Sequence, residues 1–267
     1  MQPKNYAISG GEEGKKRLNK LAAALQPYTS SLLIHAGVQT GCSFLDLGCG
    51  GGNVSMLAAQ LAGEEGRVTG VDYDPVIVQL AQEDLITENI HNIAYQHNSA
   101  YDINFTNEFD FVYARFLLSH LNDPMKALLK MKQAAKQGGK IIAEDIQFSR
   151  HFSYPDNAAF KRYQQLYAEV VKRKGGDAEL GADLPLLFMD AGIKIISMDV
   201  IQPAFSSGDG KWLAYITMDK IKDSILEEGV AGLEEINSVL QEMAAFTNDK
   251  NSIISMPGIY RITGIKD

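Results

Sequence analysis

The sequence predicts an α/β fold, a doubly wound and mostly parallel sheet under a helical cap. Short apolar strands and amphipathic helices alternate from residue 43 to residue 145, and this rhythm places helices on both faces of a parallel sheet. A glycine-rich turn, Gly48-Cys49-Gly50-Gly51-Gly52, joins the first strand of that run to its first helix. After Asp145 the alternation gives way to longer helical and aromatic segments, which read as a cap over the carboxyl edge of the sheet.

Taken in order, Glu12 to Leu25 reads as a helix from the spacing of Leu18, Leu21 and Leu25. Pro27 is expected to interrupt it, with a second helix from about Tyr28 to Ala36 ending at Gly37. Ser43–Leu47 is an apolar strand, Val54–Leu61 a helix and Arg67–Val71 the next strand. Asp74-Pro75 is an N-cap followed by proline in the first turn, opening a helix to about Glu88. Ile93–Gln96 and Phe109–Ala114 are strands. Asp123-Pro124 caps a helix to about Lys136, and Gly138-Gly139 turns the chain into the strand Lys140–Glu144. Beyond it lie helices over Asn157–Arg173 and Glu179–Asp190, a strand over Ile193–Val200, two helices between Trp212 and Phe246 split near 229–232, and a last strand over Ile259–Ile265. Together these give seven strands. Residues 1–267 are expected to form one domain, with a core over about 29–147, 179–203 and 253–267. The cap is expected over about 1–28, 148–178 and 204–252.

Composition narrows the function. The formal net charge is −8, which argues against a general nucleic-acid or anionic-membrane binder, since phosphate binding needs a basic stripe. Only two cysteines are present, Cys42 and Cys49, too few for a disulfide framework, so a cytoplasmic setting is expected. The start, Met1-Gln2-Pro3-Lys4-Asn5, is polar and no apolar run approaches a membrane span.

The glycine turn carries the chemistry. Glycine at the end of a strand lets a ligand approach the backbone closely. Asp72 follows Gly52 by 20 residues and ends the next strand, where an acidic side chain can accept from both hydroxyls of a ribose. The dinucleotide pattern G-x-G-x-x-G fails here, because Asn53 stands where its last glycine would be. Asp46, just before the glycines, adds negative charge where a pyrophosphate would be repelled and a sulfonium or ammonium group attracted.

Phe44-Leu45-Asp46-Leu47-Gly48-Cys49-Gly50-Gly51-Gly52 resembles the first motif of the class I (Rossmann-like) S-adenosylmethionine-dependent methyltransferases. Val71-Asp72 resembles their second motif and Asn98-Ser99-Ala100-Tyr101-Asp102 their adenine-side third. Phe109-Asp110-Phe111-Val112-Tyr113 resembles their fourth strand, and Gly138-Gly139-Lys140 their turn after the fourth helix. The whole is similar to the small-molecule group that includes ubiquinone and menaquinone methyltransferases. Weaker resemblances lie at Tyr6-Ala7-Ile8-Ser9-Gly10 followed by Arg17-Leu18, an element that some relatives fold over the cofactor, and at Gly175-Gly176-Asp177, Gly181, Leu184-Pro185 and Ala191-Gly192, a cap-to-strand segment of the same relatives.

The resemblance implies a seven-stranded Rossmann-like sheet, S-adenosylmethionine as methyl donor, S-adenosylhomocysteine as product and a small-molecule substrate. It implies that Gly48 and Gly50 line the methionine half of the cofactor, anchored by Asp46 directly or through water, and that Cys49 and Asn53 also contact the cofactor. Asp72 would hold the ribose, Tyr73 would pack on the adenine, and Asn98 or Ser99, with Ala100, would meet the adenine amine. Ala114 and Arg115 would lie near the cofactor carboxylate or the substrate, and Tyr6 would close over the cofactor. No metal is implied, nor a nucleic-acid or membrane partner, and the chain is expected to be a monomer or homodimer. An RNA or protein methyltransferase and a non-catalytic S-adenosylmethionine-binding protein stay open.

Several side chains carry two readings. His120 is a general base or a helix-start histidine. Arg115 clamps an anionic group or makes a structural ion pair. Glu144 and Asp145 orient a substrate or a metal, or neither. Phe160, Tyr163 and Tyr167 at helical spacing are core or a substrate platform. Trp212 reads as packing, Cys49 as a small filler, and Lys172-Arg173-Lys174 as a solvated helix end or a phosphate site.

Overall fold

The computed structural model describes residue 8 and residues 11–267. The first helix, α1 (Gly11–Ala36), runs unbroken through Pro27, so the expected interruption does not occur. Leu21, Leu25, Thr29 and Leu33 are buried on one face of it. That continuous packing outweighs the single hydrogen bond that proline removes. Strand β1 (Ser43–Leu47) is buried at every residue and leads through the glycine turn to α2 (Asn53–Ala62).

Strand β2 (Arg67–Asp72) is followed by α3 (Pro75–Thr87), whose N-cap Asp74 accepts from the Val76 and Ile77 amides, as its sequence predicts. Next come β3 (Ile93–His97), β4 (Phe109–Arg115) and α4 (Pro124–Ala134). Asp123 caps α4 through the Lys126 amide. Helix α4 ends before Lys136, because β5 (Ala135–Gln147) starts there and carries the Gly138-Gly139 turn within it.

A two-residue strand, β6 (Ser153–Tyr154), precedes α5 (Ala158–Arg173), which is capped by the Asn157 side chain. The helix expected over Glu179–Asp190 is a 3-10 turn, Leu180–Asp183, followed by α6 (Leu184–Asp190) with Pro185 in its first turn. The proline leaves no amide to continue an α-helix from the preceding residues. Then follow β7 (Lys194–Ile201), β8 (Ala204–Phe205), α7 (Asp209–Glu227), α8 (Leu233–Asn248), β9 (Ile253–Ser255) and β10 (Gly258–Ile265).

The seven expected strands form one sheet in the order β3-β2-β1-β4-β5-β10-β7. β10 is antiparallel to both β5 and β7, and the other pairs are parallel. Phe44, Phe111, Tyr113 and Ile142 point into the layer against α1 and α2. Leu45, Val112, Ile141 and Ala143 point into the layer holding α4 and α6. A third apolar cluster joins α5, α7 and α8 to Leu21 and Leu25 of α1 and to Phe148. A small second sheet, β6-β9-β8, which has no counterpart in the sequence reading, ties this cap together. Strand order reverses between β1 and β4, so a crevice opens at their carboxyl ends, the place where doubly wound sheets bind ligands.

The turn that enters this crevice has strict demands. Gly52 has φ +83°, and a Cβ there would stand 2.1 Å from the Tyr95 hydroxyl oxygen. Gly52→Ala is expected to cost about 2–4 kcal/mol in urea unfolding, the sum of left-handed strain and overpacking. Gly138→Ala, with φ +72° but open space around its Cβ, should cost about 1 kcal/mol; equal losses would refute the clash.

Candidate functional site

The turn after β1 is held from below. The Gly48 and Cys49 amides both donate to the Val71 carbonyl, at 2.8 and 3.0 Å. One oxygen of Asp72 accepts the Gly50 amide at 2.8 Å and the other accepts the Asp74 amide at 2.9 Å. Gly48 and Gly50 take left-handed backbones, φ +74° and +52°, which turn main chain rather than side chains toward the crevice.

Above the turn lies a cavity of about 610 Å³ that continues under the cap, within the ordinary range for a small-molecule site. It brings together most of the residues expected from the sequence. Asp46, Gly48, Cys49, Gly50 and Asn53 line it beside the turn, Asp72 and Tyr73 at the end of β2, and Asn98, Ser99 and Ala100 after β3. Arg115 and His120 line it from the β4 side. Ala114 does not. It is 1% exposed within the α4-side core, because strand alternation turns it to the opposite face from Tyr113. Tyr6 lies outside the described residues.

Asp46 is 2% exposed and accepts the Ser55 hydroxyl at 2.6 Å. Burial pushes its pKa up to about 6, against the Ser55 bond and the positive charge of Arg115. Burial also raises the Asp72 carboxyl, opposed by the Asp74 and Gly50 amides. The Tyr73 ring, 51% exposed, stands edge-on to His97 at 6.0 Å. Asn98 and Ser99 both line the cavity. The Asn98 amide donates to the Asp72 carbonyl, and its side-chain oxygen accepts the Ser99 amide at 2.8 Å. The Ser99 hydroxyl oxygen accepts from the Tyr101 amide at 3.1 Å.

Arg115 donates to the Thr29 hydroxyl at 3.0 Å. It pairs in register with Glu144 on β5, a buried carboxylate that also accepts from the Tyr113 hydroxyl. Burial raises the Glu144 carboxyl and Arg115 lowers it. This arrangement favours the structural reading of Arg115, although its side chain also reaches the cavity. Phe116 follows with φ +52°, a strained backbone at the cavity lip.

Glu144 and Asp145 are buried and are not on the cavity wall. Asp145 accepts the Ser119 and Ile146 amides, at 3.0 and 2.9 Å, and so pins the 3-10 turn Leu118–His120 that presents His120. Burial, with the nearby Arg17 charge adding to it, pulls the His120 pKa down to about 4, so its ring is neutral at physiological pH. Among the described residues no group of three or more His, Cys, Asp or Glu side chains is placed to hold a metal ion. Cys42 and Cys49 are buried free thiols, and burial raises the Cys49 thiol well above its ordinary range, the state of an inert filler.

The far end of the cavity comes from the cap. Phe148 stacks on Tyr167 with centroids 3.9 Å apart. Tyr163 and Tyr167 line the wall while Phe160 packs behind them, so the aromatic stripe is core and wall at once. Trp212 packs edge-on against Tyr215. Arg173 pairs with Glu169 at 2.7 Å and Lys174 approaches Glu227 and Glu228, so two of the three basic residues in that run are paired at the helix end.

Phe148, His151 and Thr217, to which the sequence assigns no role, also line the cavity, as does Arg17, which the sequence marks only through its resemblance to the N-terminal element of some relatives. The His151 ring is buried and its Nδ1 has no hydrogen-bond partner, a state that costs about 1–3 kcal/mol unless something fills it. No spacing or motif marks His151.

Burial pulls the His151 pKa down to about 3. The folded ring therefore stays neutral where the unfolded one, with its ordinary value near 6.5, takes up a proton. Its contribution to stability is full above pH 6.5 and is lost as the pH falls toward 3. His151→Phe is expected to flatten the loss of unfolding free energy between pH 6.5 and 4. Parallel pH profiles for variant and wild type would contradict the buried neutral ring.

Comparison with known proteins agrees with this geometry. The methyltransferase domain family matches residues 39–192. The demethylmenaquinone methyltransferase of Listeria welshimeri is 28% identical over 172 residues, covering 60% of this chain and 73% of that protein. Among solved structures, a putative methyltransferase from Bacillus halodurans superposes with a TM-score of 0.60 at 18% identity, covering 89% of this chain and 98% of the other. Phosphoethanolamine N-methyltransferase 2 of Haemonchus contortus, in complex with phosphomonomethylethanolamine and S-adenosylhomocysteine, superposes at 0.56 and 17% identity, covering 90% and 52%. These likenesses support the fold, and the family match spans more than half of the chain. The chain belongs to the methyltransferase domain family and is a class I S-adenosylmethionine-dependent methyltransferase.

Proposed function

We propose that this chain transfers a methyl group to a small-molecule acceptor held in the apolar end of the cavity, by in-line displacement. The observation that carries the reading is one continuous cavity with the glycine turn, Asp46 and Asp72 at one end and aromatic cap residues at the other. The name of the Listeria relative suggests a quinone-like ring as one candidate acceptor.

The residues present fit the cofactor. The left-handed glycines leave main chain where a Cβ would crowd a ligand; at Gly50 it would already meet Leu18 at 2.9 Å. Asp72 spends one lone pair per oxygen on backbone amides and keeps others for ribose hydroxyls. Asp46 offers a carboxylate to an ammonium group. The exposed Tyr73 ring offers a face for a purine, and Asn98 or Ser99 its polar edge.

Bound there, S-adenosylmethionine supplies a methyl group activated by a sulfonium. The chain's own part is alignment and exclusion of water, worth about 7–11 kcal/mol when reacting atoms are held in line. Arg17 sits on the acceptor side, with its Nε donating to the Thr217 hydroxyl at 3.3 Å. His120, neutral and on the cavity wall, is available to take a proton from an acidic acceptor. The negative net charge and the enclosed cap speak for a small acceptor over RNA. Two buried free thiols suit a reducing compartment such as the cytoplasm, and no described helix is long and apolar enough to cross a membrane.

S-adenosylhomocysteine at a hundredfold excess over Kd is expected to stabilise the protein by about 2.7 kcal/mol, raising Tm by roughly 5–10 °C. Asp72→Ala should abolish the rise; an unchanged rise would remove Asp72 from the site. Protonated Asp46 cannot hold an ammonium, so cofactor affinity should fall by up to about tenfold per unit as the pH drops below 6. In Asp46→Asn that slope should vanish. Calorimetric titration between pH 5 and 8 reads both.

A further inference from the structure

The seven-stranded sheet ends in two edges of different character. On β3 the exposed side chains are Ala94, Gln96 and His97, while Ile93 and Tyr95 are buried. On β7 the exposed side chains include Ile196, Met198 and Val200, at 46%, 53% and 41%. Register fixes the direction of two of them. Met198 opposes Ile262 and Val200 opposes Tyr260 on β10, and both β10 residues belong to the layer that holds α6. Helix α6 lies against β7 and exposes Leu186 and Met189, at 60% and 65%. One apolar surface therefore runs from the flank of α6 onto the open edge of the sheet.

An open edge carries a row of unpaired main-chain donors and acceptors, and proteins blunt such edges with charge, proline or irregular backbone. From Ile195 to Met198 the strand is uncharged, and its one irregularity lies at Ile196. Asp199 points to the other face, where it binds Arg261 of β10. Whatever covers this edge must bring a strand and, beside it, apolar side chains. A second copy brings both by symmetry. A two-fold axis normal to the sheet pairs β7 antiparallel with its own copy and sets the two α6 helices side by side on one face. With Met198 on the axis, the Ser197 hydroxyl stands opposite the partner's Asp199. A register centred on Asp199 would oppose two carboxylates, which is unfavourable. Five large side chains, 41% to 65% exposed, together with the strand edge put the buried surface on the order of 1,000 Å² in total, the lower bound of specific interfaces.

We propose that the chain pairs with a second copy of itself through β7 and α6, so that two seven-stranded sheets become one continuous sheet. An unrelated extended peptide would satisfy the strand edge but leave Leu186 and Met189 bare. The cavity lies at the carboxyl ends of β1 and β4, with β5 and β10 between it and this edge. Both copies therefore keep their cavities open, and the assignment stands apart from the choice of methyl acceptor. An interface of this size gives a dimer that dissociates on dilution.

Sedimentation velocity of the full chain, from about 0.5 to about 100 µM, is expected to show monomer giving way to dimer with no larger species. Met198→Lys should weaken association about tenfold or more, because like charges then face each other on the axis. Ala94→Lys, on the opposite edge of the sheet, should leave association within about twofold of wild type. Unchanged circular dichroism and melting temperature show that both variants are folded. In Met198→Cys a short bismaleimide should link two copies, whereas in Leu226→Cys, exposed on α7, it should not. A wild type that stays monomeric throughout would leave the edge to another partner and overturn the assignment. Association untouched by Met198→Lys, equal weakening by Ala94→Lys, or linking at Leu226→Cys in preference to Met198→Cys would each overturn it too. A missing thermal shift with S-adenosylhomocysteine would instead strike the cofactor reading, so the two failures are told apart.

Discussion

The carboxylate of Asp72 is the constraint on which the site depends. Its two oxygens hold the Gly50 amide on one side and the Asp74 amide on the other. Asp74 in turn caps α3 and accepts the Gly11 amide at the start of α1 at 3.4 Å. One side chain at the end of β2 thereby ties the glycine turn, the next helix and the first helix of the chain into a single frame. Backbone donors buried in a turn must be satisfied, and an ionised acceptor does so with stronger bonds than a neutral one. The turn is consequently shaped before any ligand arrives, which reduces the ordering that binding requires.

A second set of buried polar groups lies behind the first. Asp46 and Tyr113 are register partners on β1 and β4, and Arg115 and Glu144 on β4 and β5. Thr29 of α1 reaches both Arg115 and Glu144. Carboxylates this deeply buried are held toward their neutral forms by lost hydration, and the guanidinium opposes that. The charge of Asp46 is thus set first by its burial, and the Ser55 hydroxyl and then a neighbour on the next strand oppose it. This couples the turn to the packing of α1 across the sheet.

The sheet was legible in the sequence because each of its seven strands carries enough apolar residues to show a pattern and is bounded by turn chemistry. Asp74-Pro75 and Asp123-Pro124 marked helix starts through a local hydrogen bond that needs no tertiary context. Pro27 misled because a helix tolerates one missing bond when Leu25, Thr29 and Leu33 are all buried against the rest of the protein. The strands of the small sheet are two or three residues long, too short to show any period. At the site, the glycines and Asp72 were legible because their roles are set by spacing along one segment. His151 was not, because its frame is assembled from α5, the small sheet and the loop after β5, which meet only in the fold. Ala114 shows the limit of reading roles by position, since one step along a strand reverses the face.

The antiparallel strand β10 sits between β5 and β7, and its position has a consequence for synthesis. Strand β5 pairs with β10 through Gln147 and Gly258, about 110 residues apart. At roughly 5–20 residues per second on a ribosome, the open edge of β5 waits on the order of 5–20 s for its partner. Until then β7, whose one neighbour in the sheet is β10, lacks the strand it pairs with. The nascent chain can build the glycine turn and its five parallel strands early, while the far side of the sheet stays an unpaired edge exposed to other chains. The half that binds the methyl donor can therefore form during translation, and the half that completes the sheet only after β10 has been made.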